Sequence, residues 1–137
     1  SGYVSFAADR DSEYGGLFFY GAHLVEMALE IFGEDVVSVT AEESPNGCFS
    51  CRLHYARYDV TLQFNKGCAK AFGIVFGKNK AMNREIDISG AYRAGFTRFA
   101  EALRRGSAGR ERERLILPVR ILYAVEQSLD GKQTVCL

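Results

Sequence analysis

Apolar and polar positions alternate with two different periods along this chain, and the period changes divide it into elements. Residues 3–7 (Tyr-Val-Ser-Phe-Ala) alternate and predict a first strand, followed by a polar loop from Asp9 to Gly16. From Leu17 to Phe32 the period is helical. Leu24, Val25, Ala28, Ile31 and Phe32 form one apolar stripe, while His23, Glu26 and Glu30 fall on another face. Gly33 ends that helix as a C-cap residue. Five strands are predicted next. Val36 to Ala41 places Val37, Val39 and Ala41 on one side. Phe49, Cys51, Leu53 and Tyr55 alternate with Cys48, Ser50, Arg52 and His54, and Tyr58 to Phe64 alternates likewise. These two runs flank Ala56-Arg57 and read as a hairpin. Ala69 to Phe76 is apolar on both parities, as in a strand covered on both faces. Ala81 to Ile88 alternates again.

Helical spacing then returns. Tyr92, Phe96, Phe99, Ala100 and Leu103 make one stripe ended by Gly106. Ser107 to Arg114 reads as a charged, solvated loop, with Pro118 in the first turn of a last helix. Ile121, Leu122, Val125 and Leu129 form the apolar face of that helix, and Gln133 to Leu137 is a short terminal strand. A run of strands set apart from helices predicts an α+β fold. Its sheet is largely antiparallel and mixed, with helices packed on one face. The other face is left for oligomerisation or substrate. Tyr55, Tyr58, Phe64, Phe72 and Phe76 either line that open face or pack beneath the helices; parity alone does not choose. A large exposed aromatic face is unusual on a monomer, so the expectation is a homo-oligomer built through the sheet.

Composition narrows the class. With 137 residues the chain has length for one domain and one core. Lys+Arg and Asp+Glu balance at 17 each, so the basic excess of a nucleic-acid module is missing. No apolar stretch is long enough to span a bilayer, and the polar, glycine-rich start does not resemble a signal peptide. The expectation is a cytoplasmic protein that binds neither nucleic acid nor membrane. Cys48 and Cys51 form a C-x-x-C, but only Cys68, His54 and His23 are available as scattered further ligands. On one strand the two thiols point to opposite faces, which discourages joint ligation and a mutual disulfide. They read as free, mostly buried thiols with no metal.

The candidate chemistry sits at the first helix. His23 lies behind the pair Gly15-Gly16, with Phe19, Tyr20, Glu26 and Met27 at positions that share its face. An imidazole carries a proton in either direction near neutral pH. Glu26 is placed to hold its tautomer, Tyr20 to donate a phenolic hydrogen bond, and Gly15, Gly16 and Gly21 to admit substrate or another backbone. The competing reading of a lone helical histidine is a packed structural residue.

The run Gly15-Gly16, then Gly21-Ala22-His23-Leu24-Val25-Glu26, then Ile31-Phe32-Gly33 resembles the start of the C-terminal domain of the Gfo/Idh/MocA oxidoreductases. These are relatives of glucose–fructose oxidoreductase and inositol dehydrogenase. Asp35 to Ala41 resembles the family's next strand. Phe96 to Leu103, Gly106, Pro118 to Ser128 and Gly131 to Leu137 resemble its closing helices and strand, so the resemblance covers nearly the whole chain. It implies a two-domain parent in which residues 1–137 are the substrate and oligomerisation domain. An N-terminal Rossmann domain, absent from this chain, would bind NAD or NADP. No G-x-G-x-x-G follows a strand here, so the chain alone is expected to bind no cofactor and to be inactive. The family's lysine, borne on the other domain, is missing as well. The implied site residues are His23 for proton handling, Glu26 as its orienting group, and Tyr20 and Gly16 as contacts to a sugar-like or polyol substrate. Phe19 stands where the family has an aspartate, and Glu26 where it has a second one. Phenylalanine neither orients an imidazole nor binds a hydroxyl. Two alternatives therefore stand beside the oxidoreductase: a non-enzymatic sensor or scaffold that keeps the fold, and a stand-alone dimerising ligand-binding domain.

Overall fold

A computed structural model describes residues 1–106 and 111–137. The element order is β1 (Gly2–Ala7), α1 (Leu17–Phe32), β2 (Val36–Glu43), β3 (Phe49–Tyr55), β4 (Asp59–Asn65), β5 (Ala71–Phe76), β6 (Ala81–Ile86), α2 (Ala91–Arg104), α3 (Glu111–Gly131) and β7 (Val135–Cys136). The strands form one sheet in the order β6-β5-β1-β4-β3-β2-β7. Only β1 and β4 pair in parallel, with Val4 opposite Leu62; the other pairs are antiparallel. The fold is thus α+β with a largely antiparallel mixed sheet, as the pattern predicts.

Helices α1 and α3 pack on one face of the sheet and on each other. Alternation in the central strands decides what lies beneath them. Val4 and Phe6 of β1, Val60, Leu62 and Phe64 of β4, and Phe49, Cys51 and Leu53 of β3 are all buried there. The rings of Phe49 and Phe64 stack at 4.2 Å between centroids. Leu24, Val25 and Ala28 of α1 and Ile121, Leu122 and Val125 of α3 close the core from above. Gly21 is the point of closest approach: a Cβ there would stand 3.2 Å from Leu122 of α3. That glycine serves helix packing rather than access for a ligand.

The structure departs from the pattern in four places and decides the placement of the aromatics, which parity left open. Val37 is exposed, because the β2–β3 register shifts between Val36 and Ser38 and turns its side chain away from Val39 and Ala41. Tyr55 and Phe64 lie under the helices, and Tyr58 stacks on Tyr55 and donates to the Phe32 carbonyl. Only Phe72 and Phe76 of the five aromatics belong to the open face, opposite in parity to Gly73, which faces Ile31 of α1. Strand β5 is not sealed on both sides, since α1 and α3 pack over β1, β4 and β2 and leave β5 at the margin. The last helix begins at Glu111, so Pro118 lies inside it and not in its first turn; the rest of the expected loop, residues 107–110, lies outside the described residues. Finally, the stripe of α2 covers nothing: Tyr92, Phe96, Phe99 and Leu103 all face solvent. Among the described residues no helix is long and apolar enough to cross a membrane.

Candidate functional site

The loop from Ala8 to Gly16 sets the position of α1. Lys66 reaches it from the end of β4, 3.2 Å from Asp9 and 3.1 Å from Asp11, and Arg10 pairs with Asp130 at the end of α3. The Asp11 backbone N–H holds the Asp9 carboxyl below its ordinary range; partial burial opposes this and Lys66 adds to it. The loop closes on Gly16, whose N–H donates to the Ser12 carbonyl at 2.8 Å. Gly16 has φ 60° and ψ −138°, a conformation open to glycine, and a Cβ there would meet the Arg10 carbonyl oxygen at 2.8 Å. The helix then starts with no side-chain cap, so its footing is the packed stripe and this turn.

His23 stands two turns into α1 on the solvent side, with its side chain 55% exposed. Its Nδ1 lies 3.5 Å from Glu26 Oε2, also exposed. A carboxylate beside Nδ1 favours the tautomer protonated there and leaves the Nε2 lone pair facing outward. An aromatic ledge runs along the start of the same helix. Tyr14, Phe19 and Tyr20 are each substantially exposed, with Phe19 and Tyr20 edge to face at 4.8 Å and Tyr20 braced edge-on against buried Phe6. The helix thus brings His23, Glu26, Phe19 and Tyr20 onto one open surface, reached from Gly16 at its start. Chemically this is a proton carrier beside apolar ring faces, whose negative charge attracts the C–H edges of a polyol.

Two open grooves lie elsewhere. One, of about 540 Å³, is lined by Phe18, Val119, Tyr123, Ala124, Cys136 and Leu137 among others. Phe18 and His23 are five residues apart, and on a helix they point roughly 140° apart. The second groove lies between β5 and the segment after β6, around Lys70, Glu85 and Asp87. Neither includes His23 or Glu26.

A second polar group was less visible in the sequence. On the open sheet face His54 Nδ1 is 2.9 Å from Asp59 Oδ1, and its Nε2 is 2.9 Å from Thr40 Oγ1. Thr40 in turn shares a hydrogen bond with Thr134 at 2.8 Å. His54, proposed above only as a scattered ligand, is committed to this chain of bonds. The clue was the hairpin register, which sets residue 54 opposite residue 59 across Ala56-Arg57. The order hydroxyl, imidazole, carboxylate matches a nucleophilic triad, but none of the three lines either groove.

All four cysteines are free. Cys51 is fully buried, and burial pushes its thiol from the ordinary 9.0 up to about 12. Cys48 precedes β3 and is half-buried, while Cys68 and Cys136 are exposed, which corrects the expectation of mostly buried thiols. Among the described residues no three His, Cys, Asp or Glu side chains gather as a metal site.

No family model matches the sequence, and no curated protein matches it. Among solved structures the fold is similar to that of YvaA from Bacillus subtilis, described as a "putative oxidoreductase". The TM-score is 0.63 at 17% identity, covering 99% of this chain and 57% of that one. At that identity the likeness is one of fold. The chain spans a little over half of YvaA's length.

Proposed function

We propose that this chain is the substrate-binding and oligomerisation domain of a Gfo/Idh/MocA-type oxidoreductase acting on a sugar or polyol hydroxyl with NAD or NADP. The observation that carries the reading is His23, held on the solvent side of α1 with Glu26 at its Nδ1, next to the Phe19–Tyr20 ledge. The fold shared with part of YvaA supports it. In this reading Nε2 of His23 accepts the hydroxyl proton, Glu26 steadies the imidazolium that results, and the aromatic ledge seats the carbon skeleton. The surface is open because a second domain covers it, and that domain holds the nicotinamide cofactor. Oligomerisation runs through the sheet's open face, around Phe72 and Phe76.

The test is NAD(P)-dependent oxidation of a panel of sugars and cyclitols by the intact gene product, wild type against His23→Ala. A general base contributes about 100- to 10,000-fold, so the variant should lose that much kcat while staying folded. A gene product that binds neither NAD nor NADP in calorimetry would overturn the reading. Phe19, half-exposed where the family carries an aspartate, favours a second reading: a non-catalytic sugar sensor on the same scaffold. Unchanged ligand affinity in an intact protein without turnover would select it.

A further inference from the structure

We infer that the outward face of α2 is a self-association surface, on which a second copy of this chain packs its own α2 antiparallel. No residue of this helix is buried, and Tyr92, Phe96, Phe99 and Leu103 are 91%, 73%, 60% and 57% exposed. Fourteen residues are marginal for an isolated helix in water. Its N-terminus has no side-chain cap, and only backbone bonds from Arg105 and Gly106 close its other end. Its ion pair to the body, Arg98 to Glu30 of α1 at 3.4 Å, is exposed and contributes little. The missing stabilisation has to come from covering the stripe.

The spacing says what kind of object covers it. The four residues are separated by four, three and four positions, which is the a/d seam of a helix pair and narrower than the stripe of a helix lying on a sheet. The positions beside the seam are Arg93, Gly95, Ala100 and Ala102, so three of four are small and a second helix can approach closely. The remaining charges turn away from it. Arg98 is engaged with Glu30, and Arg105 with Glu101 at 3.7 Å. Self-pairing therefore brings no line of like charges together. An antiparallel two-fold arrangement sets Phe96 against the partner's Phe99 and Tyr92 against the partner's Leu103. It also places Arg93 near the negative end of the opposing helix dipole.

The area suffices. A buried aromatic contributes about 150–250 Å², so at these exposures the seam offers roughly 500 Å² per protomer. Two copies reach about 1,000 Å², the lower bound of a specific interface. The tether to Glu30 puts α2 on the helix-covered side of the sheet, so this surface is independent of the open face.

Sedimentation equilibrium of the 137-residue chain, up to roughly 100 µM, tests the inference. With the open sheet face also engaged, the wild type should reach at least twice the monomer mass. Phe96→Glu with Phe99→Glu should weaken association by more than about 100-fold, as for loss of paired hot spots, while the unfolding midpoint measured at a dilution where the wild type is monomeric stays unchanged, because neither residue is in the core. Phe76→Glu, on the open sheet face, should leave the dimer intact. A monomeric wild type would overturn the inference, including one that co-sediments with phosphatidylglycerol vesicles. So would a dimer that only Phe76→Glu dissociates.

Discussion

Replacing Ser128 by alanine should cost this domain about 2–4 kcal/mol, although it removes a single oxygen. Ser128 lies on α3 and is completely buried. Its Oγ accepts from the Ala41 N–H at 2.9 Å and donates to the Gln133 carbonyl at 2.5 Å. The reason is the shortness of β7. The β2–β7 ladder pairs only Ser38 and Val39, so the Ala41 N–H on that side has no strand partner and takes the serine instead. In Ser128→Ala this N–H stays buried without an acceptor, which costs about 1–3 kcal/mol. The Gln133 carbonyl sits in an exposed turn and loses the more modest worth of a bond that water can replace, about 0.5–1.5 kcal/mol. Urea unfolding followed by tyrosine fluorescence measures the effect. With an m-value of about 1–3 kcal/mol/M, the midpoint should fall by roughly 1–2 M with m unchanged. A loss below about 0.5 kcal/mol would refute the claim that Ser128 completes the edge of β2.

Four further outcomes are expected. Phe64→Ala empties one half of the Phe49 stack in the core and should destabilise by about 3–5 kcal/mol, measured by the same unfolding. Gly16→Ala forces an unfavourable backbone and a contact on the Arg10 carbonyl. It should cost at least about 1–3 kcal/mol and shift the amide resonances of residues 10–20, whereas unchanged spectra would show the turn to be relaxed. Cys51 has its thiol pKa raised in the folded state, so its contribution is fully present below pH 9.0, the ordinary value, and is lost as pH rises toward about 12. Stability should fall there with a slope of up to about 1.4 kcal/mol per pH unit from this group, and Cys51→Ala should flatten the profile. At pH 8 a thiol reagent should label Cys68 and Cys136 quickly and Cys51 only on unfolding.

Local periodicity carried much of the fold. The bounds of α1 follow from its stripe and from glycines at both ends, and the β3–β4 hairpin follows from alternation on either side of Ala56-Arg57. Non-local pairing was not legible: nothing in β1 announces a parallel partner 58 positions away, with Gly2 opposite Val60. A bulge is invisible to parity, hence Val37. Pro118 carries a real preference for a first turn, which the packed face of Ile121, Leu122 and Val125 overrides. Periodicity also reports that α2 has an apolar face without reporting whether this chain covers it. At the site, the exposure of His23 was readable because it falls off the stripe, and Glu26 three residues on falls beside it. The Thr40–His54–Asp59 bonds needed three consecutive strands in exact mutual register, which alternation within each strand does not set.

The central claim is that His23 meets a polyol at the face of α1. The two histidines of the chain make the measurement simple, since His54 serves as an internal reference on the other side of the sheet. Imidazole ring resonances should be followed while myo-inositol, glucose and ribitol are added to the 137-residue chain. Saturable shifts at His23, weakened in Phe19→Ala and absent at His54, are the expected result. Shifts at neither histidine, or at His54 alone, would contradict it.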